Sequence, residues 1–377
     1  MTLIVAQKHI NLQKSIAVTC SAIALALCGS GLSAYAAETR SSNSRRTFAD
    51  WCRQKDSLSP EAKHTVEVLL KKVGTTECDA ANQILSSLTE LSLSKNQIND
   101  IKPLASLTKL TSLWLNKNKI SDIQPLQSLT NLTSLNLSEN KISDIKPIAS
   151  LTNLTELNLN DNQISDIKLL ASLINLTSLF LSGNQISDIK PLASLTNLSL
   201  LILSFNQIND IKSLASLTSL TQLDLWRNQV SDIKSLESLT NLTSLILLNN
   251  KISDIKPLQS LTNLIILILA DNQINDIKPL ASLTNLIWLF LDENNINDIQ
   301  PLQSLTNLAW LNLDKNKISD IKVLASLTNL AVLNLSDNQI SDIKPLASLT
   351  NLTSLLLIGN PIAPKTCPIK PESICYW

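Results

Sequence analysis

The sequence predicts an α/β solenoid of thirteen turns with a cap at each end, and three observations lead to that expectation. Asparagine recurs every 22 residues, from Asn96 through Asn118, Asn140 and Asn162 to Asn360, with no insertion. A fixed period of this length marks stacked repeats rather than an ordinary globular core. Around each asparagine the chain reads L-x-x-L-x-L-x-x-N, as in Leu132 to Asn140, and the alternation of its last two leucines with polar residues is that of a half-buried strand. Composition is the third observation. Of 377 residues 44% are apolar but only 3% aromatic, and only 5 are Gly, so Leu, Ile and Val fill the core and few turns can depend on glycine.

The chain begins with a segment read as a secretory signal (1–36). Lys8 and Lys14 precede an apolar run from Ile16 to Leu27 and then small residues to Ala36, the expected cleavage point. The run is short of the ~20 residues a membrane span needs. Leu27 before Cys28 departs from a lipid-attachment site. The mature chain is thus expected to be exported to the periplasm or medium, with no stable membrane insertion. The 31 Lys and Arg less Lys8 and Lys14 leave 29 against 31 acidic residues, a balance that argues against nucleic acid as partner.

A polar stretch and an N-terminal cap follow (37–84). Ser59-Pro60 opens a segment that places Ala62, Val66, Leu69, Leu70 and Val73 on one face before Gly74, the pattern of an amphipathic helix laid over the first repeat. His64 lies on that helix and reads as a solvated surface residue. The thirteen repeats occupy 85–360. No single unit covers its own apolar face, but parallel strands ~4.8 Å apart join the leucine and isoleucine columns into one core. The asparagine column should satisfy backbone groups at the bend after each strand. The aspartate column, Asp100 through Asp342, should accept local backbone N–H groups rather than bind metal.

These residues match the leucine-rich repeat, and the return segment I-x-D-I-x-P-L-x-x-L-T-x-L resembles the 22-residue bacterial subclass found in internalins. The resemblance implies a curved, right-handed horseshoe with a parallel sheet on the concave face and short 3-10-like turns on the convex face. Proline gives way to Leu169, Ser213, Ser235 and Val323 in four return segments. The repeats are followed only by a short cap (361–377), without an immunoglobulin-like module or wall-sorting signal, so an internalin's role in host-cell entry is not carried over. The cap segments resemble those of secreted cyanobacterial leucine-rich repeat proteins.

Four cysteines follow the signal: Cys52, Cys78, Cys367 and Cys375. Twelve steps of ~4.8 Å separate the terminal strands by roughly 55 Å, far beyond the ~6 Å of a disulfide, so Cys52 should pair with Cys78 and Cys367 with Cys375.

The sequence contains no phosphate-binding glycine loop, no paired cysteines at zinc spacing and no nucleophile elbow, so it is read as no enzyme, with no catalytic residue, metal or cofactor. Six Asn-Leu-Thr or Asn-Leu-Ser sequons, such as Asn131 and Asn153, arise from the repeat itself.

Function is sought on the outward strand columns. With the first leucine as position one, positions three, five and seven point away from the core and position eight lies beside them. Trp114, Phe180, Phe205, Trp226, Trp288, Phe290 and Trp310 all fall in these columns, which hold Ser, Asn, Asp or Lys in other repeats. They therefore read as surface residues. Leu200, Ile202, Ile246, Leu248, Ile266 and Ile268 join them in an apolar strip on the order of 400 to 500 Å² from the fifth to the eleventh repeat. Few soluble monomers leave that much apolar surface without a partner. Asp271, Asp292, Glu293, Asp314 and Asp337, interrupted by Lys315, make an acidic edge suited to a partner's basic side. The expected function is a noncatalytic, exported recognition module that binds a protein or peptide on its concave face. The alternative is a cell-envelope glycan binder using the concave aromatics.

Overall fold

The computed structural model describes residues 46–377; the signal segment, its cleavage point, Cys20 and Cys28 lie outside the described residues. The strands are β1 Glu90–Ser92, β2 Ser112–Trp114, β3 Ser134–Asn136, β4 Glu156–Asn158, β5 Ser178–Phe180, β6 Leu200–Ile202, β7 Gln222–Asp224, β8 Ser244–Ile246, β9 Ile266–Ile268, β10 Trp288–Phe290, β11 Trp310–Asn312, β12 Val332–Asn334, β13 Ser354–Leu356 and β14 Cys375–Tyr376. They form one parallel sheet in chain order. Each repeat strand pairs with the residues 22 positions on, so that Leu289 faces Leu311 and Leu311 faces Leu333. The central leucine of each of β1 to β13 and the leucine two residues later are buried, which makes one continuous core along the stack.

The asparagine column does what its spacing predicts. Asn206 Nδ2 donates to the carbonyls of Leu181 at 2.9 Å and Leu203 at 3.0 Å, while its Oδ1 accepts the Ile186 N–H at 3.0 Å. Each amide thus ties one turn to the turn before it. The aspartate column also behaves as expected: Asp144 Oδ1 accepts the Lys146 N–H at 2.9 Å and opens the 3-10 turn Lys146–Ser150. On the convex side the sequon asparagines form a second ladder, as where Asn153 Nδ2 donates to the Thr130 carbonyl at 2.9 Å. Their recurrence is therefore a backbone requirement.

Position eight adopts positive φ in every repeat, from Lys95 at 61° to Asp337 at 48°, and only Gly183 and Gly359 supply glycine there. Turns without glycine are thus made by left-handed residues, a conformation that costs about 1–2 kcal/mol per non-glycine residue. The stack on either side holds it in place.

Three helices form the N-terminal cap: α1 Phe48–Arg53, α2 Pro60–Val73 and α3 Cys78–Ser87. The predicted helix is α2, with Ser59 accepting the Ala62 N–H and Gly74 closing the end at φ 73°. It buries Ala62, Val66, Leu69 and Leu70. His64 is not the freely solvated residue expected. It is half-buried, and its Nε2 lies 2.7 Å from the Asn96 carbonyl, because α2 sits directly on the first bend. Thr65 adds a bond from its hydroxyl to the Asp100 carbonyl at 2.6 Å.

The cysteines pair as the geometry requires, Cys52 with Cys78 and Cys367 with Cys375. The second bridge anchors β14, which continues the sheet past β13. Its loop spans only 8 residues, so loop entropy assigns it about 2.5 kcal/mol. Replacing both Cys367 and Cys375 by Ser should lower global stability by about that amount in denaturant titration. An unchanged midpoint would show that packing alone holds the cap.

Candidate functional site

Period-two alternation sends positions three, five and seven of every repeat to the same face of the sheet. Twelve of the thirteen sequence-predicted residues lie there and Phe205, at position eight, lies beside them; their rings meet in two places. Phe205 and Trp226 stand at 4.4 Å between centroids and 67° between planes, with the Arg227 guanidinium 5.2 Å from the Phe205 ring. Farther along, Trp310 lies 6.4 Å from Trp288 and 5.8 Å from Phe290. Ile246, Ile266 and Ile268 on β8 and β9, with Leu248 two residues past the end of β8, lie between these clusters, and Leu200 and Ile202 follow Phe180 on the other side. Trp114 stands apart on β2, flanked in register by Ser92 and Asn136.

The strip is less exposed than the columns suggest. Twelve of the thirteen residues are half-buried, and Phe290 is buried at 3% exposure. Reading Phe290 as a surface residue is therefore wrong. It is pinned between Ile268 and Asn312 in register, with the Trp310 ring against it, on a face where neighbouring strands stand only ~4.8 Å apart. The strip is also broken at β7, where Asp224 stands between Ile202 and Ile246. Its Oδ1 accepts the Trp226 N–H at 2.8 Å, yet burial still raises its pKa to about 6.

Position two contributes residues that the outward columns leave out. In most repeats it is threonine, whose hydroxyl donates to the carbonyl of the previous one, as from Thr155 to Thr133 at 3.1 Å. From β9 to β12 the column changes to Ile265, Ile287, Ala309 and Ala331. Ile265 is 40% and Ile287 39% exposed, and both border Trp288, so apolar surface continues around the edge of the sheet. The sequence signal was present in the loss of a threonine ladder, in a column assigned to neither core nor face.

The acidic edge is electrostatically strained. Burial, reinforced by Asp314 and Glu293, raises Asp292 to about 7. Burial and then Asp337 raise Asp314 to about 6. Lys315 pairs with Glu293, and Asn249 donates to Asp271. Among the described residues no group of three or more His, Cys, Asp or Glu is placed to hold a metal ion.

The family described as leucine rich repeats, two copies, matches residues 86–128, 130–172, 174–216, 196–238, 240–282 and 328–366. An internalin, InlF, of Listeria monocytogenes is 38% identical, with a TM-score of 0.77 over 82% of this chain and 92% of that one. The chain belongs to the bacterial internalin-like leucine-rich repeat family. A leucine-rich repeat protein of Leptospira interrogans is 27% identical, with a TM-score of 0.66 over 76% of this chain and 88% of that one. The ectodomain of the plant receptor kinase GASSHO1/SCHENGEN3 of Arabidopsis thaliana, solved with Casparian strip integrity factor 2, is 25% identical; its TM-score is 0.63 over 74% of this chain and 39% of that one. A search of curated protein sequences finds no match. The leucine-rich repeat fold is a common scaffold for protein recognition.

Proposed function

We infer that this internalin-like chain is an exported, noncatalytic module whose concave face grips a protein or peptide partner between β5 and β12. The observation that carries this reading is the convergence of Trp288, Trp310, Ile265 and Ile287 on one end of the face, in columns where serine or threonine is the commonest residue. Aromatic and aliphatic anchors in such a cluster are what protein interfaces favour. A glycan platform is less well supported, because Trp288 and Trp310 meet at 66° and share no flat face for a sugar ring. Two disulfides suit an oxidising compartment, and no helix among the described residues is long and apolar enough to cross a membrane. The plant ectodomain solved with its factor is a precedent for a solenoid of this kind holding a partner.

The test is affinity capture from envelope extract, followed by direct binding of the purified partner. Replacing Trp288 and Trp310 together by Ala should weaken binding at least about tenfold with the circular dichroism unchanged, since anchors are worth ~2 kcal/mol or more. Lys234→Ala on the exposed convex side should leave affinity unaltered. Full binding by the double variant, or loss in the convex one, would refute the concave-face reading.

A further inference from the structure

From β9 to β12 the start of each strand has lost its hydrogen-bond acceptors. Position two carries Ile265, Ile287, Ala309 and Ala331 where most other turns carry threonine, and position three beside it includes Trp288 and Trp310. No side chain at these two positions of the four turns contains an acceptor atom. The backbone beneath is already used. The Ile265 carbonyl accepts the N–H groups of Ile287 at 2.9 Å and Trp288 at 3.1 Å, and the Ile287 carbonyl accepts those of Ala309 at 3.0 Å and Trp310 at 3.1 Å. Ile265 and Ile287 are nevertheless exposed, so this apolar band is open to a partner.

Resting on the recognition reading above, we propose that the band receives an amphipathic α-helix of the partner, lying across β9 to β12 with lysine or arginine along one flank only. A segment pressed onto a surface without acceptors must bring its main-chain hydrogen bonds already made, which a helix does and an extended peptide does not. Strand addition is closed here, because each of these strands is paired on both sides. Spacing agrees with a helix. Four strands ~4.8 Å apart span about 14 Å, or roughly ten to twelve helical residues, and residues i, i+4, i+7 and i+11 fall within about 2 Å of successive strands. An extended peptide repeats each face at ~6.7 Å and loses register by the second strand.

The two sides of the band differ in charge. Past the strand ends, position eight carries the carboxylates of Asp271, Glu293 and Asp337 against one cation, Lys315, itself paired with Glu293. Before the strand starts, the chain carries neutral asparagines whose amides serve the preceding turn, as where Asn285 Nδ2 donates to the Thr262 carbonyl at 2.9 Å. Five residues at ~3.3 Å put the acidic edge about 16 Å from position three, so a helix about 10–12 Å across brings one flank within about a Debye length of it. Basic residues on that flank are attracted, and the opposite flank meets no charge.

The test pans the full chain with two displayed peptide libraries of equal length, one of capped alanine-rich helices with randomised faces and one of proline-punctuated extended chains. Binders should come from the helical library, with apolar residues at i, i+4, i+7 and i+11 and lysine or arginine on one flank. For the tightest synthetic binder, proline at its midpoint should raise the Kd at least tenfold by titration calorimetry. Ile265→Thr with Ile287→Thr should do the same with circular dichroism unchanged, because threonine restores the ladder found in the other turns. Asp271→Asn with Asp337→Asn should weaken binding about three- to fivefold at low salt and not at high salt. Binders from the extended library, basic residues on both flanks or neither, full binding by the isoleucine or aspartate variant, or no binder at all would overturn the proposal. Trp288→Ala with Trp310→Ala separates it from the broader reading. Extended binders lost on that variant would leave the concave face standing and remove the helix, whereas binders indifferent to it would remove both.

Discussion

Asn206→Ala should destabilise the protein by about 2–3 kcal/mol, more than its exposed convex counterpart Asn197→Ala by at least a factor of four. The difference follows from which partners each amide serves. Leu181 and Leu203 carbonyls each accept from a second asparagine, Asn184 and Asn228, so the loss of Asn206 Nδ2 leaves both still bonded. The Ile186 N–H has only Asn206 Oδ1, at 3.0 Å in a buried bend. Removing that oxygen leaves a buried donor with no acceptor, and water cannot reach it without opening the turn. Asn197 also donates to a backbone carbonyl, that of Ile174 at 3.0 Å, but it is exposed and water can replace it. Urea titration of the two variants beside wild type measures both numbers. Equal midpoints for Asn206→Ala and wild type would mean that the ladder is decorative.

That ladder is also where the sequence is most readable, because a fixed period turns every column into thirteen observations of one environment. The leucine columns, the asparagine bend and the aspartate turn each obey a local rule repeated along the chain, and the disulfide pairing follows from strand spacing alone. The candidate site is less readable, since it consists of departures from the repeat. Whether Phe290 is exposed depends on Trp310 in the next turn lying against it, a contact between residues 20 apart that no single column reveals. Ile265 and Ile287 were hidden for a different reason: position two faces the sheet edge, where threonine is a ladder residue and its loss exposes a new surface. Asp292 and Asp314 look on paper like solvated charges at a strand end. Their burial depends on packing within the row, where Ala270, at 3% exposure, precedes Asp292 and Ser336 follows Asp314.

Asp292→Asn should make the protein more stable at pH 8 and leave it unchanged near pH 4. In the folded protein the Asp292 carboxyl keeps its proton to about pH 7, whereas in the unfolded chain it releases it near the ordinary value of 3.8. Between those two values the folded state binds more protons than the unfolded one, so stability falls as pH rises through that window and the loss is complete above pH 7. A displacement of this size corresponds to about 4 kcal/mol at most, and relaxation around an incompletely buried side chain reduces it to about 2–3 kcal/mol. Asp314 and Asp224, each raised to about 6, act in the same direction, so the melting temperature of wild type should decline from about pH 4 towards neutrality. Asp50, Asp56, Asp320 and Glu372 are held below the usual range by hydrogen bonds and neighbouring lysine or arginine and pull the other way, but they are fully exposed and their effect is screened. Asparagine keeps the shape of Asp292 without the charge, so the variant should flatten the wild-type decline. Thermal melts at pH 4, 6 and 8 read the result directly: a gain confined to pH 6 and 8 supports a strained carboxylate, and equal melts at pH 8 would refute it. A carboxylate that costs its own fold stability at neutral pH fits a binding role better than a structural one.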